Sequence, residues 1–184
     1  MRQYNKYLIR SVKTFNRHVE PLIRKEWQVE FIHACEGKED GLDGALDHKH
    51  SIDYLLFKGG RMHGLANRIL FKKKYANKIT LRKKRINRET KEETPSDYLK
   101  LKKAIEEKDA YPEYFCVACV VDDVLVSCVT VQTVDLIKFI DETNPPIYKN
   151  IDEDKNQIQE YYCFDWRDMK KSGYKVWKLQ PEAA

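Results

Sequence analysis

An α+β domain with a mixed, mostly antiparallel sheet flanked by helices is the fold class this chain predicts, on three observations. Leu8, Val12, Phe15, Val19, Leu22 and Ile23 recur at the three-to-four-residue spacing of an amphipathic helix. Two pairs of β-rich segments are joined by the short turns Gly59-Gly60 and Asp122-Asp123, which reads as two antiparallel hairpins. At 42% hydrophobic residues the chain is too apolar for disorder, yet no apolar run approaches the roughly 20 residues that span a bilayer. Its 184 residues suffice for one core, so a single domain over 1–184 is expected, with the core over about 8–130 and a C-terminal α/β extension over about 131–184.

In chain order, the first helix meets Pro21, which removes a backbone donor, so a kink or restart is expected there and an end near Trp27. The stretch WQVEFIHAC alternates as a strand, with a continuation of the helix as the competing reading. Residues 36–50, rich in glycine and acids and without an apolar period, read as a loop. SIDYLLF and MHGLANRILF form the first hairpin, and KITLRKKRI is a further strand with one buried and one cationic face. Thr94 is expected to cap the second helix, with Pro95 as its first residue and Asp97 completing a carboxylate variant of the capping box, and that helix runs to about Lys108. YFCVACVV and VLVSCVTV make the second hairpin, apolar enough to be buried on both faces. VDLIKFIDE is a short helix stopped by Asn144-Pro145-Pro146, and YKNIDEDKNQIQ reads as a polar acidic loop. A strand YYCFDW, a helical turn DMKKSG and a strand YKVWKL close the chain; Asp165 to Asp168 read as a strand end with a helix cap.

Charge is segregated along this framework. Between Lys58 and Lys91 stand thirteen Lys or Arg residues and one acid, Glu89, a window of +12 in a chain of net +5, so the remainder carries −7. Cations gathered on strand-like sequence point to a polyanionic partner, because each one held against a phosphate releases condensed counterions. Nucleic acid, DNA or RNA, free or in a nucleoprotein, is the expected partner. Lys72, Lys73, Lys74, Lys78, Arg82, Lys83, Lys84 and Arg85 are the candidate backbone contacts. Tyr4, Tyr7, Tyr54, Tyr75 and Tyr98 are candidate base-stacking residues, although core or interface positions suit most of them better. A solvated basic hairpin with no ligand is the competing reading of the window.

Five cysteines, Cys35, Cys116, Cys119, Cys128 and Cys163, are an odd number and three lie in apolar strands, so buried free thiols are expected. The N-terminus lacks the apolar run and cleavage site of a secretory leader. A soluble protein, cytoplasmic and without a membrane partner, is the expectation. No Gly-rich phosphate loop, nucleophile elbow, zinc-finger spacing or dinucleotide fingerprint is present.

The order helix, strand, strand, strand, helix, strand, with WQVEF as the first strand, resembles the αβββαβ core of the PD-(D/E)XK nuclease superfamily, which includes Holliday-junction resolvases and many restriction enzymes; the resemblance covers roughly residues 8–121. It implies a metal-dependent nuclease in which an aspartate on one strand and a D/E-x-K triplet on the next hold Mg²⁺ or Mn²⁺ against a phosphodiester. Asp53 falls at the family aspartate, and Ala66-Asn67-Arg68 where the triplet is expected. Alanine supplies no ligand and arginine is a very poor base, so the motif is degenerate. The resemblance makes Asp53, Glu26 or Glu20, and Arg68 the catalytic candidates. Asp53 with Asp47, His48 and His50 would form the metal set. Asp53 also reads as a simple salt-bridge partner for Arg68 across the hairpin.

Three functions remain open from the sequence. One is a metal-dependent endonuclease. The second is a catalytically inactive protein of the same fold that binds nucleic acid or inhibits a host-defence nucleoprotein, since the Lys-, Ile- and Tyr-rich composition resembles that of low-GC bacteria, their phages and mobile elements. The third is a protein-only interaction module, including a homodimer in which the basic window meets the acidic stretch Asp141 to Glu160.

Overall fold

The structure, a computed structural model, describes residues 3–36, 41–153 and 155–180. Helix α1 (Gln3–Thr14) passes through one wide π-turn, Phe15–Val19, into α2 (Glu20–Trp27). Pro21 sits in the first turn of α2, where its missing N–H would otherwise be owed to the carbonyl of Arg17, so the ladder widens just before it and restarts. Gln28, in the left-handed region at φ 54°, ends α2, and β1 starts only at Phe31 (Phe31–Ala34).

Two sheets follow. The first comprises β1, β2 (Tyr54–Lys58), β3 (Arg61–Leu70), β6 (Tyr114–Val121), β7 (Val124–Gln132) and β10 (Val176–Leu179), in the order β1-β2-β3-β6-β7-β10. All its neighbours are antiparallel except β3 and β6, which run parallel. The second comprises β4 (Lys78–Asn87), β5 (Glu93–Pro95), β8 (Ile147–Asp152) and β9 (Gln157–Asp165), antiparallel throughout in the order β5-β4-β9-β8. Helices α3 (Gly41–His50), α4 (Asp97–Glu107), α5 (Thr133–Thr143) and α6 (Trp166–Lys171) complete the fold. The protein is thus α+β with mixed, mostly antiparallel sheets flanked by helices. No helix among the described residues is long and apolar enough to cross a membrane.

The alternation of β6 fixes the layering. Cys116 and Ala118 point to one face, where they meet Phe15, Val19, Leu22 and Ile23 of the continuous α1–α2 helix. Phe115 and Val117 point to the other, against Leu101 of α4, Leu136 and Ile140 of α5, and Ile79, Leu81, Tyr162 and Phe164 of the second sheet. The central strand is therefore buried on both faces, as its apolar run predicts. Gly59 and Gly60, both with positive φ (56° and 71°), make the two-residue turn between β2 and β3, and Asp122 and Asp123 (49° and 60°) make the equivalent turn between β6 and β7. Gly64 has a different role, close approach: a Cβ there would lie 3.0 Å from Pro112 Cα and 3.3 Å from Ile52 Cγ1. Gly64→Ala is expected to destabilise the fold by about 1–3 kcal/mol, read as a lower urea midpoint at unchanged slope.

Four sequence expectations are corrected. Residues 41–50 form α3 rather than loop: Leu42, Ala45 and Leu46 share one side, Leu46 packs on the cluster of Cys35, Ile52 and Leu55, and Asp43 near the start and His48 to His50 at the end suit the helix dipole. KITLRKKRI does not join the first sheet; β4 pairs with β9 and β5 in the second. Thr94 and Pro95 belong to β5, and Ser96 is the N-cap of α4, because the Asp97 side chain is drawn to two arginines instead of the capping box. Of residues 148–159, read as loop, 148–152 belong to the edge strand β8, whose Ile147 and Ile151 align with Tyr162 and Ile158, and 157–159 open β9. The C-terminal segment is woven into both sheets, β9 beside β4 and β10 beside β7.

Candidate functional site

A cleft of about 650 Å³ opens beside the residues that lead into β2 and the C-terminal half of β3, under α1 and between α3, α4 and β4. Its walls carry opposite charge. One side presents Glu36, Asp47, His48 and Asp53; the other presents Arg68, Arg82, Arg85 and Lys100, with Asp97 between them.

Asp53 is tied into the sheet by its own backbone. Its N–H donates to Leu65 O at 3.0 Å, and its carbonyl accepts from Cys35 N (2.8 Å) and Glu36 N (2.9 Å), which brings the end of β1 to the start of β2. Its carboxylate accepts the backbone N–H of Asn67 at 2.5 Å. Burial pushes the Asp53 carboxyl well above its ordinary range, and the neighbouring Glu36 adds to this; the Asn67 N–H opposes both. Glu36 is raised in the same way, first by burial and then by Asp47, although its carboxylate accepts the Tyr54 hydroxyl at 2.9 Å. Tyr54 is fully buried and stacked on Phe15 at 3.8 Å. This wall therefore holds more negative charge than its surroundings solvate.

On the opposite wall, Asp97 pairs with Arg68 at 2.9 Å and Arg82 at 3.4 Å. Burial alone would raise the Asp97 carboxyl, but Arg82, Arg68 and Arg85 outweigh it and hold it below its ordinary value. Arg82 and Arg85 are three residues apart, a spacing that would place them on opposite strand faces. A bulge resolves this: Arg82 aligns with Tyr161 and Lys84 with Glu160, so Lys83 is an extra residue and both arginines line the cleft. Arg85 carries no ion pair among the described residues.

Among the described residues, four of the seven buried side-chain polar atoms without a protein partner belong to the cleft lining; the others are on Thr130, Thr133 and Trp166. Both side-chain atoms of Asn67, Nε of Arg82 and Oε1 of Gln157 are unsatisfied, and all three residues line the cleft. Each such atom costs about 1–3 kcal/mol when left unpaired, so the cleft lining offers both donors and acceptors to water or to a polar ligand.

Of the residues singled out from the sequence, Asp53, Asp47, His48, Arg68, Arg82 and Arg85 come together in this cleft. Glu20 does not; it pairs with Arg24 at 2.8 Å, and Glu26 is exposed on α2. His50 donates from Nδ1 to Ala110 O at 2.9 Å, outside the cleft. Arg68 meets Asp97 rather than Asp53. Lys84 lies between Glu93 (2.5 Å) and Glu160 (3.9 Å), and Lys78 reaches Asp165 at 4.0 Å. Lys83 stands over the Tyr162 ring at 5.4 Å. Lys72, Lys73 and Lys74 are exposed on the turn between β3 and β4. Tyr54 and Tyr98 are core residues, Tyr98 donating to Asp141 and packing edge-on to Tyr162, so neither offers a free stacking face. The side chains of Tyr4 and Tyr7 lie outside the described residues. Asp165 accepts from Arg167 N at 3.0 Å, capping α6.

Comparison with protein-family models, curated proteins and solved structures found no match to this chain.

Glu36, Asn67, Asp97, Lys100 and Gln157 join the site through tertiary structure. Asp97 carried a signal, an acid beside a helix start, but a capping role accounts for that equally well. The raised Asp53 carboxyl has a consequence for stability. Its folded-state value lies above the ordinary one, so the folded state binds the extra proton and loses stability as pH rises through the interval between the two. Asp53→Asn keeps an acceptor for Asn67 N–H and removes the charge. It is expected to stabilise the fold by about 1–2 kcal/mol at pH 7, and by less at pH 4, in paired urea titrations.

Proposed function

We propose that the chain is a nucleic-acid-binding protein of nuclease-like fold, in which the cleft receives a phosphodiester between its arginine wall and its carboxylate wall. The observation that carries this reading is the convergence of Asp53, Glu36 and Asp47 with Arg68, Arg82, Arg85 and Lys100 around one polar cleft. Within the first sheet the antiparallel run β1-β2-β3 is joined by the parallel strand β6, but β4 and β5 of the second sheet intervene in the chain before α4, so the αβββαβ order is matched only with that insertion; Asp53, just before β2, stands where the resemblance expects the family aspartate.

Asp53 and Glu36 are the candidate oxygen donors for a hard divalent cation, and among the described residues no third His, Cys, Asp or Glu donor joins them within 4.8 Å. Asp53 and Glu36 are shielded oxygen donors whose charge is disfavoured by burial and by each other, and a Mg²⁺ or Mn²⁺ ion relieves both penalties. Such an ion, once bound, polarises the phosphoryl group and acidifies a water. The chain's own contribution is positional: Asn67 N–H fixes the Asp53 carboxylate, Tyr54 fixes Glu36, and Arg85 and Lys100 supply charge to the backbone oxygens.

A second reading, binding without hydrolysis, is favoured by two residues. Ala66, which precedes the N–H that holds Asp53, brings no ligand, and Arg68, where the family has lysine, is committed to Asp97. Incubation of single-stranded, duplex and branched DNA and of RNA with Mg²⁺ or Mn²⁺ separates the two. The enzyme reading expects cleavage that Asp53→Asn abolishes while binding is kept; tight binding without cleavage under any divalent ion establishes the second reading. Absence of binding to every nucleic acid contradicts both.

A further inference from the structure

Outside the cleft's carboxylate wall lies a second group of ligand-forming side chains. His33 from β1, Cys35 just beyond it and Asp43 in the first turn of α3 place one donor atom each within 4.8 Å of one another, and among the described residues no other three such donors do so. His33 Nε2 lies 3.0 Å from both Asp43 carboxylate oxygens, and Cys35 Sγ lies 3.9 Å from Asp43 Oδ1. Cys35 is completely buried, whereas His33 and Asp43 are partly exposed, so the group is anchored below and open to solvent above.

We infer that His33, Cys35 and Asp43 form a transition-metal site, suited to Zn²⁺, with a fourth position open to water. The donor set decides the ion. An imidazole nitrogen, a thiolate sulfur and one carboxylate oxygen match the borderline softness and tetrahedral coordination of Zn²⁺, and a thiol is a poor ligand for Mg²⁺ or Ca²⁺. The spacing serves it: His33 lies in β1 and Cys35 one residue past its end, and Asp43 is brought to them by α3. Binding requires neutral His33 and loss of the Cys35 proton to solvent, so affinity rises with pH. Burial and the nearby Asp43, Asp47 and Asp53 push the Cys35 thiol up to about 11, and a bound dication reverses that balance.

The placement gives the ion a structural role. It would clip α3 to the end of β1, and α3 carries Asp47 and His48 into the cleft four and five residues after Asp43, while Glu36 directly follows Cys35. This inference stands apart from the nucleic-acid reading and survives its failure.

Chelator-treated full-length protein titrated with Zn²⁺, and with Co²⁺ as a spectroscopic probe, tests it. One equivalent is expected to bind, with a thiolate-to-cobalt charge-transfer band in the near ultraviolet, tetrahedral bands in the visible, and a Zn²⁺-dependent rise in melting temperature. Cys35→Ser is expected to remove the charge-transfer band, and His33→Ala to weaken Zn²⁺ binding at least tenfold. His33 is partly exposed, so the second variant keeps the test valid should the first fail to fold. No saturable binding by the wild-type chain, or binding unchanged in His33→Ala, overturns the assignment.

Discussion

Asp97→Ala is expected to destabilise the protein by about 3–5 kcal/mol, the largest single-residue effect outside the apolar core. Asp97 is the shared counter-charge of Arg68 and Arg82, two guanidinium groups at the bottom of the cleft, and Arg82 Nε already lacks a partner. Removing the carboxylate leaves two shielded cations facing each other, so the penalty is the desolvation of unpaired charge rather than the loss of one favourable contact. The pH dependence follows from the lowered Asp97 carboxyl: its contribution is fully present above the ordinary aspartate range near pH 4 and disappears as pH falls through the lower folded-state value. The difference between wild type and Asp97→Ala in urea unfolding is therefore expected to be constant from pH 5 to 8 and to shrink in acid. Arg82→Met in the Asp97→Ala background should recover part of the loss, because it removes one of the two stranded charges; a further loss of similar size would contradict the shared-carboxylate account.

Arg85→Glu combined with Lys100→Glu is expected to lower nucleic-acid affinity by about 100-fold at moderate salt and to reduce the salt dependence by about two ion equivalents. These two cations line the cleft, and neither has an ion-pair partner among the described residues, whereas Arg68 and Arg82 are neutralised by Asp97 and Lys84 by Glu93 and Glu160. Reversing Lys84 should accordingly cost stability more than affinity. The basic window is thus not uniform. Part of its charge holds β4 to β5, β9 and α4, and the part left over for a partner includes Arg85, the exposed Lys58, Arg61 and Lys72 to Lys74, and, from outside the window, Lys100, whose Nζ donates to the His48 carbonyl at 3.2 Å.

Elements with strong periodicity were legible in the sequence. The first helix, both hairpins, the two-sided burial of β6 and the cap at Asp165 follow from spacing and turn chemistry alone. The failures share a physical origin. Helix α3 has two glycines and a short apolar side completed only by contact with Cys35, Ile52 and Leu55. β8 is an exposed edge strand, so its pattern is polar although its ladder with β9 is regular. Within the site, Asp53 was readable only through the resemblance, as the acid that stands before the first hairpin where the family aspartate is expected. Glu36 was not, since only the hydrogen bonds of Cys35 and Glu36 N–H to Asp53 O bring the two carboxylates together. Arg82 and Arg85 reach one cleft only through the bulge at Lys83, which no alternation rule foresees.

The central claim, that this cleft receives a nucleic-acid backbone, is tested most directly by fluorescence anisotropy of a labelled single-stranded oligonucleotide titrated with the protein across a salt series. A log–log slope steeper than about −2, falling by about two units in the Arg85→Glu, Lys100→Glu variant, is the predicted result. A slope near zero, or a variant that binds like the wild type at every salt concentration, would contradict it.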